Sequence, residues 1–151
     1  MISHQVLGNL GNIHQLIVSL VQDLPVSEVN KRFHPDLSPM GWLLGRSVYL
    51  ETYWLRERIA GDDDLTRRVR HIFGQPSSSA KETDLMVPPR DHLLNWALEI
   101  MDEHLSRLAN PGMLPEHPWL KDDWIAGYLL QVHGQTYENM IAVLAARSQS
   151  R

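Results

Sequence analysis

The chain has 151 residues, no cysteine and a formal net charge of −4, with 43% hydrophobic and 21% charged residues. That length suits one domain, 1–151, around a single core. The missing cysteines exclude disulfides, thiolate nucleophiles and Cys-ligated metals, and the acidic balance argues against nucleic acid as a partner. A chain without cysteine fits a cytoplasmic setting. The segment Met1–Leu24 has no basic start and no unbroken apolar run, so it does not read as a signal peptide. No stretch approaches the roughly 18 continuous apolar residues of a membrane span.

Apolar residues recur at helical spacing in four long segments. The first runs from Ser3 to about Asp23, with Val6, Leu7, Leu10, Ile13, Ile17, Leu20, Val21 and Leu24 on its stripe. Gly8 and Gly11 weaken it by roughly 1 kcal/mol each relative to Ala unless they admit a neighbouring helix. A connector over 25–37 ends in His34-Pro35-Asp36. Ser38 at N-cap and Pro39 at N1 then start a second helix that reaches about Ala60, roughly 33 Å long. Leu43, Leu44, Val48, Leu55 and Ile59 form its stripe, broadened by Trp42, Tyr49 and Trp54. Asp64 can cap a short helix over 65–73, and Asp62-Asp63-Asp64 reads as a solvated cap rather than a cation loop. The turn-rich stretch from Gly74 through Ser77, Ser78 and Ser79 to Pro88-Pro89 reads as a surface loop.

The third long helix spans about Pro89 to Ala109, ended by Asn110-Pro111-Gly112. The fourth spans about Lys121 to Arg147, with Ile125, Tyr128, Leu129, Val132, Thr136, Met140, Ile141 and Leu144 as its stripe. No strand-like alternation of useful length is present. The pattern predicts an all-α four-helix bundle with a short extra helix in a crossover connection.

Sites in such bundles are built from inward side chains on neighbouring helices. His133 and Tyr137 lie four residues apart, on one face of the fourth helix. The natural position to face them from the second helix is Arg46, which cannot ligate a metal because it offers only donors.

The run Ser38-Pro-x-x-Trp42-x-x-Gly45-Arg46, followed by Glu51-Thr-x-Trp54, resembles the DinB-like superfamily. It looks especially like the N-terminal domain of the iron-dependent sulfoxide synthases of ergothioneine biosynthesis. Those read Ser-Pro-x-x-Trp-x-x-(Ala/Gly)-His on the second helix and His-x-x-x-His on the fourth, and the three histidines hold the metal. By position they fall on Arg46, His133 and Tyr137, so the resemblance implies a degenerate triad with one ligand kept. The motifs cover about a quarter of the chain. The synthases' substrates also need a second, C-terminal domain, for which these 151 residues hold no counterpart.

The departure carries a charge argument. A guanidinium 4 Å from a divalent ion costs about 8 kcal/mol at an effective dielectric near 20, and Tyr137 ligates only as phenolate, with an ordinary pKa near 10. The resemblance and the residues together imply a non-catalytic module without a metal cofactor that binds a small anionic ligand or a protein partner through Arg46, His133, Tyr137 and Glu51. The alternative is a metal-dependent transferase or hydrolase, with Fe, Zn or another divalent ion on His133 and recruited Tyr137 or His34. A third reading is a homodimer. In the plainest reading Arg46 pairs with Glu51 or Glu138 in a polar core network. His104 reads as a core or boundary histidine, and His4, His14, His71, His92 and His117 show no paired spacing. Trp119 is the aromatic expected at the surface.

Overall fold

The computed structural model describes residues 2–76, 81–110 and 112–150. Among them every regular element is helical. The elements are α1 (His4–Gln22), α2 (Met40–Thr52), α3 (Asp64–Phe73), α4 (Lys81–Met86), α5 (Arg90–Ala109) and α6 (Trp124–Gln149). A π-helical segment, Tyr53–Ile59, continues α2 directly. No described helix is long and apolar enough to cross a membrane.

The expected boundaries shift where local chemistry differs from the pattern. Pro39, not Ser38, is the N-cap of α2. Its extended ψ of 154° places Ser38 outside the first turn, and the Pro39 carbonyl accepts the Leu43 amide at 3.0 Å. The expected loop beyond 80 instead forms α4, whose Asp84 takes both arms of the Arg32 guanidinium at 2.9 and 3.0 Å. Ser77, Ser78 and Ser79 lie outside the described residues, as does Pro111. The fourth long helix begins at Trp124 because Asp122 has φ 56°, a left-handed conformation that interrupts the winding. On α6 the stripe residues Tyr128 and Ile141 are exposed, and Val143 is buried. Trp119 is half-buried, and Trp124 is the tryptophan that reaches solvent.

Contacts at the helix ends fix the directions. Ser3, the N-cap of α1, donates its amide (2.7 Å) and its hydroxyl (3.1 Å) to the carboxylate of Asp123, the N-cap of α6. The N-termini of α1 and α6 therefore share one end. At the other end Arg90, the first residue of α5, donates to the Leu24 carbonyl at 2.9 Å, and the Gly41 amide of α2 donates to the Val29 carbonyl at 2.9 Å. So α1 and α6 run one way, and α2 and α5 run the other. Helices α1 and α2 each pack mainly on α5 and α6. Successive long helices α1–α2 and α5–α6 thus sit across diagonals, and the 60–89 connection returns the chain to the end where α2 began.

The apolar interior has two parts. One cluster includes Ile17, Val48, Met101 and Met140; the other includes Leu10, Leu55, Leu108 and Leu129. Each long helix contributes to both, and on each a buried ionisable residue lies between: His14 on α1, Glu51 on α2, His104 on α5 and His133 on α6.

The Trp42-x-x-Gly45-Arg46 run of α2 docks α3. Trp42 Nε1 donates to the Ile72 carbonyl at 2.9 Å and Arg46 Nη1 to the Phe73 carbonyl at 2.7 Å, supplying partners that the last turn of a helix lacks. Gly45 makes room for the Phe73 ring, whose Cζ lies 2.1 Å from where a Cβ would stand. By contrast a Cβ at Gly8 meets nothing within 4 Å, and at Gly11 only an ordinary contact with Leu105. Between these two helices, the tight glycine approaches are therefore on α2, not α1.

Gly45→Ala should destabilise the protein by about 1–3 kcal/mol through overpacking against the buried Phe73 ring. Gly8→Ala should stabilise it by up to about 1 kcal/mol. Chemical denaturation of the two variants beside the parent checks both signs.

Candidate metal centre

The layer between the two apolar clusters is built around Glu51. Its Oε1 lies 2.6 Å from His14 Nε2 and 2.9 Å from His133 Nε2, and its Oε2 lies 2.7 Å from His104 Nδ1. Glu51, His104 and His133 are fully buried and His14 is 3% exposed. Burial alone would push the Glu51 pKa up. The charge of His14 and the bonds from His104, His133 and His14 outweigh it and hold the carboxyl well below its ordinary 4.5. An ionised carboxylate only accepts, so each imidazole presents an N–H to it: at Nε2 on His14 and His133, at Nδ1 on His104.

That assignment decides the rest of the network. In a neutral ring with its proton on Nε2, His133 offers a lone pair at Nδ1, and the Ser47 hydroxyl 2.6 Å away then donates to it. Ser47 Oγ in turn accepts from the Thr136 hydroxyl at 2.9 Å. The outer nitrogens His14 Nδ1 and His104 Nε2 have no hydrogen-bond partner among the described residues. The His14 and His133 rings meet edge to face at 5.0 Å.

Nε2 of His14, Oε1 of Glu51 and Nε2 of His133 converge so that one ligand atom from each lies within 4.8 Å of the others. Two imidazoles and a carboxylate are a donor set used for divalent Zn and Fe. At metal–ligand distances near 2.0–2.1 Å such donors sit roughly 3.3 Å apart, so small outward movements of the two rings would open the hydrogen-bonded cluster to an ion. His104 then remains on the second carboxylate oxygen, orienting Glu51 as an outer partner. His14 is the less well supported ligand: binding through Nε2 puts its proton on Nδ1, where no acceptor stands.

The structure brings together Glu51 and His133 of the residues singled out by sequence. Arg46 occupies the neighbouring position on α2, roughly 100° round the helix from Ser47, and its bond goes to the Phe73 carbonyl rather than to Glu51 or Glu138. Burial lowers its pKa, partly opposed by Tyr49, over whose ring it lies at 5.8 Å. Tyr137 is half-buried against the apolar cluster that holds Met140. His34 is exposed in the α1–α2 connector, and its Nδ1 accepts the Asp36 amide at 3.0 Å. His14 and His104 are the members that spacing within one helix did not reveal. The available signal was their place on apolar stripes, Leu10-His14-Ile17-Val21 and Ile100-Met101-His104-Leu108.

Removing the carboxylate leaves three imidazole N–H groups without their acceptor. In metal-free protein Glu51→Ala should cost about 3–5 kcal/mol, and melting curves should show a fall of roughly 10 °C. Because the folded-state pKa is lowered, the stabilisation from Glu51 is complete above the ordinary carboxylate value of 4.5 and is lost as pH falls below it toward the lowered value. The variant's stability should therefore change less with pH across that acid limb than the parent's. Comparison with known proteins finds no matching family model, no matching curated protein and no matching solved structure.

Proposed function

We propose that this protein is a divalent-metal-binding four-helix bundle of DinB-like type, with His14, Glu51 and His133 as ligands. The observation that carries the reading is the convergence of the three donor atoms in an interior that water does not reach. The Glu51 carboxylate is held ionised by the His14 charge and three imidazole bonds, and a divalent ion on the same donors would take over that compensation. The guanidinium that would repel such an ion is engaged with α3. Structural zinc sites close four protein ligands around the ion, whereas three leave a fourth position open, as in catalytic sites. The burial of His14, Glu51 and His133 shuts that fourth position off from solvent in this form, so the reading is a binding role. Any link to ergothioneine-type biosynthesis rests on the sequence resemblance alone.

The test is titration of the chelator-treated protein with Zn(II), Co(II) and Fe(II), read by calorimetry and by the Co(II) visible spectrum. One equivalent should bind, and the melting temperature should rise as the free metal exceeds its Kd, by about 2.7 kcal/mol of stabilisation at a hundredfold excess. His133→Ala should abolish binding and His14→Ala weaken it. His104→Ala should reduce affinity by about 10–100-fold as an outer partner. Absence of stoichiometric binding by the parent, or parent-like affinity in His133→Ala, overturns the reading.

A second reading is favoured by a cavity of about 440 Å³ in the groove between α2 and α6. Trp42, Leu43, Leu50 and Val132 form apolar walls, and the polar lining comprises Asp36, Ser38, Arg46, Gln135, Thr136 and Asn139. This volume and lining suit a small ligand. Arg46 keeps N–H groups beyond the one on Phe73 for an anionic end such as a carboxylate. Across a panel running from acetate to benzoate, the Trp42 indole resonance should shift saturably for at least one acid and not for its amide. Arg46→Gln should weaken that binding by about tenfold or more.

A further inference from the structure

Resting on the metal reading above, we infer that Ser47 and Thr136 form a two-way hydroxyl relay that sets the tautomer of His133 and so licenses its Nε2 as a metal ligand. In the hydrogen-bonded cluster the relay runs inward. Thr136 donates to Ser47 at 2.9 Å, Ser47 donates to His133 Nδ1 at 2.6 Å, and His133 donates from Nε2 to Glu51 at 2.9 Å. A metal on Nε2 requires the opposite tautomer, with the proton on Nδ1. The relay has somewhere to send its donors when it turns. His133 Nδ1–H then donates to Ser47, Ser47 to Thr136, and Thr136 to the carbonyl of Val132, 3.2 Å away on its own helix. Both arrangements leave every group of the chain from Val132 O to Nδ1 paired. Reversal turns each hydroxyl about its C–O bond. The imidazole is neutral in both arrangements: one proton leaves Nε2 and one is taken up at Nδ1, both exchanged with the water that enters as the rings part to admit the ion, so no charge is left behind.

The other two histidines lack this device. The outer nitrogens of His14 and His104 meet no acceptor among the described residues. His133 is the ring that can carry a proton on its outer nitrogen without leaving a buried N–H unpaired. Ser47 and Thr136 are positioning residues in this scheme, since neither is a ligand.

The relay makes a prediction that simple packing does not. Long-range ¹⁵N–¹H NMR of the imidazoles in the full chain should show His133 as the Nε2–H tautomer with chelator present, and as Nδ1–H once one equivalent of Zn(II) is bound. Thr136→Val keeps the shape and removes the outer acceptor for Ser47. It should leave the metal-free tautomer and fold unchanged but lower Zn(II) affinity by about 10–100-fold, and Thr136→Ser should restore it. Zn(II) uptake with no change of tautomer, or with parent-like affinity in a folded Thr136→Val, overturns the relay while leaving the metal reading intact. Failure of the parent to take up Zn(II) overturns both, and a metal-free His133 already protonated at Nδ1 overturns the relay alone.

Discussion

An ionised carboxylate at the centre of the protein is the constraint to which the other parts answer. Glu51 is fully buried, and it stays charged only because imidazoles from three other helices reach it. Each donor comes from a different element, so the cluster forms only when α1, α2, α5 and α6 are all in register. An apolar layer tolerates sliding and repacking at modest cost. A charge with three directional partners does not, because losing one leaves a polar group stranded in the interior. The layer therefore specifies one arrangement of the four helices, whatever else it binds.

Much of this fold was legible in the chain. The four long stripes, the short helix after the aspartates and the stops at glycine and proline all follow from spacing and local chemistry. The misplaced boundaries were those set by tertiary contact or by a single backbone angle: α4 is held by the Arg32 fork, and α6 is delayed by the left-handed Asp122. The site was half legible. His133 was singled out by its spacing to Tyr137 and Glu51 as an acidic neighbour of Arg46, whereas His14 and His104, although on apolar stripes, have no partner within their own helices and become meaningful only across the interior. The pairing of α2 with α6 was read one residue early. Residues 46 and 47 differ by roughly 100° of rotation, which separates a side chain that docks α3 from one that touches His133.

The Trp42-x-x-Gly45-Arg46 run carries a related lesson. Its tryptophan and arginine supply donors to the exposed carbonyl end of α3, and its glycine admits the Phe73 ring. A motif that suggests ligand chemistry by resemblance here performs docking. The positive charge of Arg46 is also favourable where the partial negative charge of a helix C-terminus lies. Thr136 belongs to both sites, lining the cavity beside Arg46 and ending the hydroxyl chain to His133.

The clasp between Ser3 and Asp123 gives the parallel pair α1 and α6 a common origin. From it, His14 is eleven residues along one helix and His133 ten along the other, or about 16 and 15 Å at 1.5 Å per residue. The two rings arrive at nearly the same height because they are counted from the same knot. The far end of the protein thus acts as a gauge for its centre. One residue inserted between clasp and ring on either helix of the pair would lift that imidazole by about 1.5 Å and swing it by roughly 100°, out of reach of Glu51.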